Sequence, residues 1–366
     1  MAKTLTLILL LIGLCAGSRS EEIDVFTAGF MGYHTCRIPA MVVATNGTVL
    51  AFCEGRKSGA GDSGKIDLLL RTSNDGGRTW SDGRVLRSDG ENVCGNPAPV
   101  VDEITGTIFL LTTWNRGSDT EKAILNGTST DTRRVFIMES GDNGEHWSGA
   151  RDITSEVKKA HWRWYATGPC NGIQLRSGRL LIPANHSDHS DPAKHPYRSH
   201  VIYSDDHGAT WRIGGIEEEK TNESTLVELS NGNVLHNMRS YHGKNARAIA
   251  TSTDGGLTFS PVTLDTNLVD SVCQASILRY SSDQILFANP ASKKRENMTI
   301  RLSTNDGQTW TASRVLCPGP SAYSCLARLK DGTILCLYER GEKSPYEKIT
   351  LTRLSITALD SELKRK

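Results

Sequence analysis

The chain has 366 residues, 37% of them hydrophobic and 23% charged, with a formal net charge of +1. That composition excludes a multi-span membrane protein and a disordered chain, and it supplies enough apolar material for a sizeable core. The near balance of 42 basic and 41 acidic residues leaves no electrostatic footprint for nucleic acid or an anionic membrane surface. The first segment runs from Met1-Ala2-Lys3 through the apolar stretch Leu5 to Leu14 to the small residues Ala16-Gly17-Ser18. A basic start, a short apolar run and small residues at the end predict a secretory signal peptide over residues 1–20, with an N-terminal anchor as the alternative. A secreted or lysosomal destination follows from that reading. One of the nine cysteines, Cys15, falls inside the segment, so the remainder is even in number and compatible with disulfides. Sequons begin at Asn46, Asn126, Asn185, Asn222 and Asn297.

Beyond residue 20 one pattern recurs. Ser73 to Trp80, Ser140 to Trp147, Ser204 to Trp211 and Ser252 to Phe259 all fit S-x-D-x-G-x-x-[WF], and Ser303 to Trp310 repeats it with Asn305 in place of Asp. The copies follow strand-like runs such as Leu68-Leu69-Leu70 and Val135-Phe136-Ile137. Gly permits a left-handed turn, Asp accepts turn N–H groups and the aromatic packs inward, so each copy predicts a hairpin turn with an aromatic anchor. A second turn precedes each unit's next strand: Asn46-Gly47, Thr105-Gly106, Ser177-Gly178, Asn231-Gly232, Ser282-Asp283 and Asp331-Gly332, roughly 50–70 residues apart. Two hairpins per unit and six units predict an all-β fold, a six-bladed β-propeller occupying residues 21–366 as one domain. The last unit lacks its second turn motif, and Ile23 to Phe26 is expected to supply its outer strand.

An up-and-down unit gathers the start of its first strand, the end of its second and the loop that follows on one face. Counting from the six turns places Arg37, Glu223 and Tyr323 at starts of first strands. Arg239 falls at the end of a second strand, Arg295 at the start of a third, and Asp62 in a second-to-third loop. Three arginines around one axis repel each other unless an anion is expected there, and the planar guanidinium fork suits a carboxylate.

Cys36-Arg37-Ile38-Pro39 resembles the arginine-isoleucine-proline motif of sialidases, and the five turn repeats resemble their Asp-boxes. The resemblance continues through Trp164 to Pro169, Ser321 to Ser324 and Leu337-Tyr338-Glu339. It implies a retaining exo-α-sialidase acting on sialylated glycoproteins, glycolipids or oligosaccharides, without cofactor or catalytic metal. By that resemblance Arg37, Arg239 and Arg295 would clamp the sugar carboxylate. Tyr323 would be the nucleophile with Glu223 as its base, Asp62 the general acid/base, and Glu339 the support of Arg37. Arg56 and Asn96 would line the 4-hydroxyl side. Cys36 beside Arg37 and Cys170 after Pro169 leave disulfides near the site open. A trans-sialidase, intermolecular or intramolecular, uses the same residues, and a non-catalytic sialic-acid-binding propeller lectin would dispense with Tyr323, Glu223 or Asp62.

The remaining candidates read as structural. His186, His189, His195 and His200 match no zinc spacing and are expected in a polar loop. Trp162 and Trp164 are expected to pack, with binding of an aglycone sugar as the alternative. Glu217-Glu218-Glu219 is expected to be a solvated loop. The sequon at Asn222 overlaps the proposed base and is expected to stay unglycosylated.

Overall fold

The computed structural model describes residues 20–191 and 194–360, so the predicted signal peptide lies almost wholly outside the described residues. The fold is all-β and almost entirely antiparallel. The first unit is Thr35–Val43, Val49–Arg56, Ile66–Ser73 and Arg84–Arg87; the second is Val93–Val101, Ile108–Asn115, Arg134–Ser140 and Arg151–Asp152. The third runs from Trp162–Thr167 through Leu180–Asp188 and Tyr197–Ser204 to Arg212–Glu219, and the fourth from Thr221–Glu228 through Val234–Ser240 and Ala246–Ser252 to Thr263–Val269. Ser276–Arg279, Ile285–Pro290 and Glu296–Ser303 lead into the long strand Ala312–Arg328. The second half of that strand pairs with Ile334–Arg340, which pairs with Lys348–Leu354. Glu21–Thr27 completes this last unit by pairing antiparallel with Lys348–Leu354, as expected for the segment around Ile23 to Phe26.

Hydrogen bonding joins these six units into four sheets rather than six. Ile66 and Val93 form one parallel bridge between the first and second units, and the unbroken Ala312–Arg328 belongs to both the fifth and sixth. Burial falls from the first strand of a unit to its last. Val93–Val101 is wholly buried, whereas Arg84–Arg87 is exposed or half-buried, as a stack of twisted sheets with one shared interior requires. Thr35–Val43 lies against both Val93–Val101 and Ala312–Arg328, so the first unit touches the second and the last.

The recurrent turns supply much of the contact between units. In the first, Ser73 Oγ donates to Asp75 Oδ1 at 2.8 Å, and Asp75 accepts from the Thr79 N–H at 2.9 Å. Trp80 Nε1 closes the turn on Gly77 O at 3.1 Å. The serine and backbone bonds to the carboxylate recur at Asp142, Asp206 and Asp254, and Asn305 accepts the same two bonds from Ser303 and Thr309. Gly144 has φ +92, and a Cβ there would meet Leu50 Cδ2 at 2.2 Å; a Cβ on Gly208 would meet Phe109 at the same distance. Glycine therefore lets each turn press onto the preceding unit. Trp147 stands edge-on to Phe52 and Trp211 edge-on to Phe109, each pair at 5.9 Å. Gly77 packs on Leu351 in the same way, tying the first unit to the sixth.

Two expectations for polar segments are corrected. His186 and His200 lie in the strands Leu180–Asp188 and Tyr197–Ser204, fully buried, not in a polar loop. His186 stacks on Trp162 at 3.5 Å, and His200 bonds the Tyr165 hydroxyl, so burial in an aromatic cluster stands where solvation was expected. Only His189 and His195 stack in the connecting loop. Glu217 is also buried, at the end of a strand, and accepts from His236 at 2.9 Å; only its neighbours Glu218 and Glu219 are exposed.

Candidate active site

A repeated backbone irregularity builds the site. Five innermost strands lose register near one end: between Arg37 and Ala40, Gly95 and Ala98, Trp162 and Tyr165, Thr221 and Ser224, and Ser321 and Ser324. A bulge re-aims side chains at the end of a sheet. The bulges carry or adjoin Arg37, Asn96, Trp164, Glu223 and Tyr323, and all five residues line one pocket of about 170 Å³. Larger clefts of about 960 and 770 Å³ exist elsewhere, but neither gathers a comparable set of titratable groups.

Asp62, Arg239, Arg295, Arg56 and the five bulge residues share the pocket wall, so every residue proposed from the sequence to touch substrate is brought together. The Tyr323 hydroxyl donates to Glu223 Oε1 at 2.5 Å, and Arg239 Nη1 bonds the other carboxylate oxygen at 2.7 Å. Burial and the Glu223 charge push the Tyr323 phenol well above its ordinary value, against the pull of Arg239 and Arg295. The phenol is therefore neutral at rest and bonded to the group positioned to take its proton.

Glu339 does more than hold Arg37. Its fully buried carboxylate accepts two bonds from Arg37, at 3.1 and 3.2 Å, one from the Ile38 N–H at 2.9 Å and one from the Tyr323 N–H at 3.1 Å. Ile38 has φ 60, costly for a β-branched residue, and this bond helps fix it there. One carboxylate thus sets the first arginine of the clamp and the backbone of the nucleophile. Burial opposes the charge on Arg37, but Glu339 and the phenols of Tyr323 and Tyr346 prevail, and Arg37 stays cationic.

Tyr346 carried no sequence signal. Arg37 lies over its ring at 4.0 Å and Arg295 Nη1 donates to its hydroxyl at 2.8 Å, so it spaces two like charges. The Tyr241 ring lies 5.2 Å from the Arg239 guanidinium.

The other side of the pocket is a second network. Arg56 makes two bonds to Glu54, one to the Ala60 carbonyl and an ion pair with Asp62 at 2.7 Å. Glu54 also accepts the Asn96 N–H, at 2.8 Å. Asn96 sits at φ 51, and its side-chain oxygen accepts from Thr113 and from Arg133. Burial works against ionisation of Asp62, but the charges of Arg56 and Arg37 hold its carboxyl below the usual range. Sequence reasoning missed Arg133, Glu121, Glu54 and Asn185, all of which line the pocket. It correctly made Trp162 a packing residue, buried at 2% exposure, but Trp164 lines the site. Asn185 and Asn222 are almost fully buried, which leaves no room for a glycan at either.

Cys36 and Cys170 carry free thiols, as do the other cysteines among the described residues. Among those residues no helix is long and apolar enough to cross a membrane.

Sequence turns, stacked antiparallel units and a buried arginine pocket together define a class, and the BNR repeat-like domain family matches residues 47–336. A sialidase of Micromonospora viridifaciens is 36% identical over 355 residues, covering 91% of this chain and 54% of that protein. Mouse Sialidase-3 is 31% identical over 377 residues, covering 86% and 90%. Among solved structures the Hadza microbial sialidase Hz136 superimposes with a TM-score of 0.84 at 31% identity, over 92% of this chain and 69% of that one. The chain belongs to the sialidase family. It spans 54% and 59% of the length of the first two curated relatives it matches.

Proposed function

We propose that the protein is a retaining exo-α-sialidase, a glycoside hydrolase that releases terminal sialic acid through a tyrosyl intermediate. The observation that carries this reading is the 2.5 Å bond from Tyr323 to Glu223 beside Arg37, Arg239 and Arg295. The three cations would take the substrate carboxylate. Sialic acid carries that carboxylate on its anomeric carbon, so a carboxylate nucleophile would meet like charge, whereas a neutral phenol does not. Family enzymes with a Tyr nucleophile are a recognised exception to the two-carboxylate pattern.

In the first step the Tyr323 oxygen bonds to the anomeric carbon as its proton passes to Glu223, and Asp62 protonates the departing glycosidic oxygen. In the second, Asp62 takes a proton from water, the water oxygen attacks the anomeric carbon, and Tyr323 leaves and recovers its proton from Glu223. Asp62 must therefore leave its ion pair with Arg56 and gain a proton. A substrate carboxylate beside Arg37 offsets one of the charges that keep Asp62 ionised. Arg56 and Asn96 would meet the ring hydroxyls.

The six units support a closed six-bladed propeller, because the first unit contacts both the second and the sixth. The substrates are sialylated glycoproteins, glycolipids or oligosaccharides, and the setting is the secretory pathway, secreted or lysosomal. Hydrolysis of a fluorogenic α-sialoside followed by early NMR tests the reading. Free sialic acid should appear first as the α anomer. The β anomer appearing first would remove the tyrosyl mechanism, a 2,7-anhydro product would assign intramolecular transfer, and binding without turnover would make the protein a lectin.

A further inference from the structure

The connection from the fourth unit to the fifth holds a buried ion pair that the reaction above does not use. Asp270 follows the strand Thr263–Val269, and its carboxylate meets Arg247 Nη1 at 3.4 Å. The two residues are 1% and 0% exposed, and neither lines the pocket. A buried ion pair is often no more stable than apolar side chains of the same volume, so stability alone does not account for this one. The bonds of Asp270 give it a different part.

Its two carboxylate oxygens hold two peptide groups. Oδ2 accepts the Ser240 N–H at 3.0 Å, and that N–H belongs to the peptide group leaving Arg239. Oδ1 accepts the Cys273 N–H at 3.1 Å. The carbonyl of that second peptide group is Val272 O, which accepts from Arg295 Nη2 at 3.3 Å. A single peptide group therefore separates Asp270 from each of two clamp arginines. Val272 sits at φ 55, costly for a β-branched residue, so local preference does not turn its carbonyl toward Arg295. The Cys273 bond closes that turn, as the Glu339 bond fixes Ile38 at φ 60. Arg247 completes the frame. Its Nη1 donates to Cys273 O at 2.7 Å, and its Nε donates at 2.7 Å to Asn237 Oδ1, on the strand that carries Arg239. Cys273 in turn packs with Ile38 and Tyr323.

Resting on the sialidase reading of this pocket, we infer that Asp270, backed by Arg247, is a positioning residue for the carboxylate clamp. It sets Arg239 and Arg295 from behind, as Glu339 sets Arg37, so all three guanidinium groups are in place before substrate arrives. Placement in advance raises affinity, because a long side chain that must be ordered on binding loses rotamer freedom at that moment. Asp270 touches no substrate, and its effect reaches the reaction only through the two arginines.

The test uses Asp270→Asn in the full chain, since Asn has one side-chain oxygen and cannot keep both N–H bonds as the carboxylate does. Two ligands are titrated by calorimetry at a temperature where melting curves show wild type and variant folded. One is 2-deoxy-2,3-dehydro sialic acid, which carries the carboxylate; the other is its neutral carboxamide. The acid should bind Asp270→Asn about tenfold or more weakly than wild type, as expected when charge-assisted bonds are displaced. The carboxamide should change by less than about threefold. KM for a fluorogenic α-sialoside should rise with the dissociation constant of the acid, while kcat stays within about threefold. Asn245→Gly is a gentler variant: it removes the Asn245 Nδ2 bond to Asp270 O at 3.1 Å and suits the φ of 49 there. It should weaken acid binding in the same sense, by about threefold, and serves if Asp270→Asn fails to fold. A merely structural Asp270 would lower the melting temperature and leave the folded protein's preference for the acid unmoved. The inference is overturned if acid binding is unchanged in the folded variants, or if acid and carboxamide weaken alike. A wild type that binds neither ligand and hydrolyses no sialoside overturns the sialidase reading itself.

Discussion

At the scale of single residues, nucleophile and clamp are separable by their effects on binding and turnover. Tyr323→Phe keeps the ring over which Arg37 and Arg295 lie but removes the oxygen that donates to Glu223. Turnover should fall by about two orders of magnitude or more while a sialic acid analogue still binds, as isothermal calorimetry would record. Arg37→Ala removes a cation needed in ground and transition states alike, so binding and turnover should fall together. It also leaves the buried Glu339 without its ion-pair partner, at a stability cost of about 3 kcal/mol, readable as a lower denaturation midpoint. If Tyr323→Phe lost binding as completely as Arg37→Ala, the division of labour between them would be wrong. These residues were legible in the sequence because each sits at a countable distance from a turn motif. Arg133, Tyr346 and Glu54 were not, because nothing local to them marks a pocket; their roles come from partners such as Asn96 and Arg295, distant in the chain.

At the scale of elements, the repeated turns make a prediction about acid. Asp142 is held at about 2, first by the His146 N–H and then by the His146 and Ser140 side chains. Asp254 also lies at about 2, where bonds from Thr258 and Ser252 outweigh the opposing effect of burial. Asp75 and Asp206 are lowered in the same manner. A carboxylate depressed in the folded state contributes stability that is full above the unfolded value near 4 and is lost as pH falls through the folded one. The melting temperature should therefore drop steeply between about pH 4 and pH 2. Asp254→Asn should show a shallower drop over that window, because Asn305 already keeps the Thr309 bond in its own turn without a titrating group. An unchanged acid profile in Asp254→Asn would mean these turns do not govern acid stability. The turns themselves could be read from S-x-D-x-G-x-x-W because every bond in them is local. The bulges that aim Arg37, Glu223 and Tyr323 could not, since a register slip is a relation between two strands. The burial of His186 and Glu217 was hidden for a related reason: polar residues reach an interior only when a partner such as Trp162 or His236 waits there.

At the scale of the whole molecule, the site exists only because remote segments meet. Glu223 lies 100 residues from Tyr323, and Arg37 lies 302 from Glu339. Glu21–Thr27 completes the sheet of the last unit, and Gly77 rests on Leu351, so the first and last units are tied beside the residues they contribute to the site. The count of six turns foretold six units. It did not foretell that two pairs of them merge into continuous sheets, since the Ile66–Val93 bridge and the length of Ala312–Arg328 depend on how neighbouring units dock. The claim that depends on all of this is that Tyr323 attacks the sugar. Inactivation with a 2,3-difluorosialic acid, followed by peptide mapping with mass spectrometry, tests it most directly, because the fluorine at C3 slows release of a covalent intermediate. The account predicts one sialyl adduct per chain, on the peptide containing Tyr323, formed in the wild type and absent in Tyr323→Phe. An adduct on Asp62, Glu223 or any other residue would contradict it.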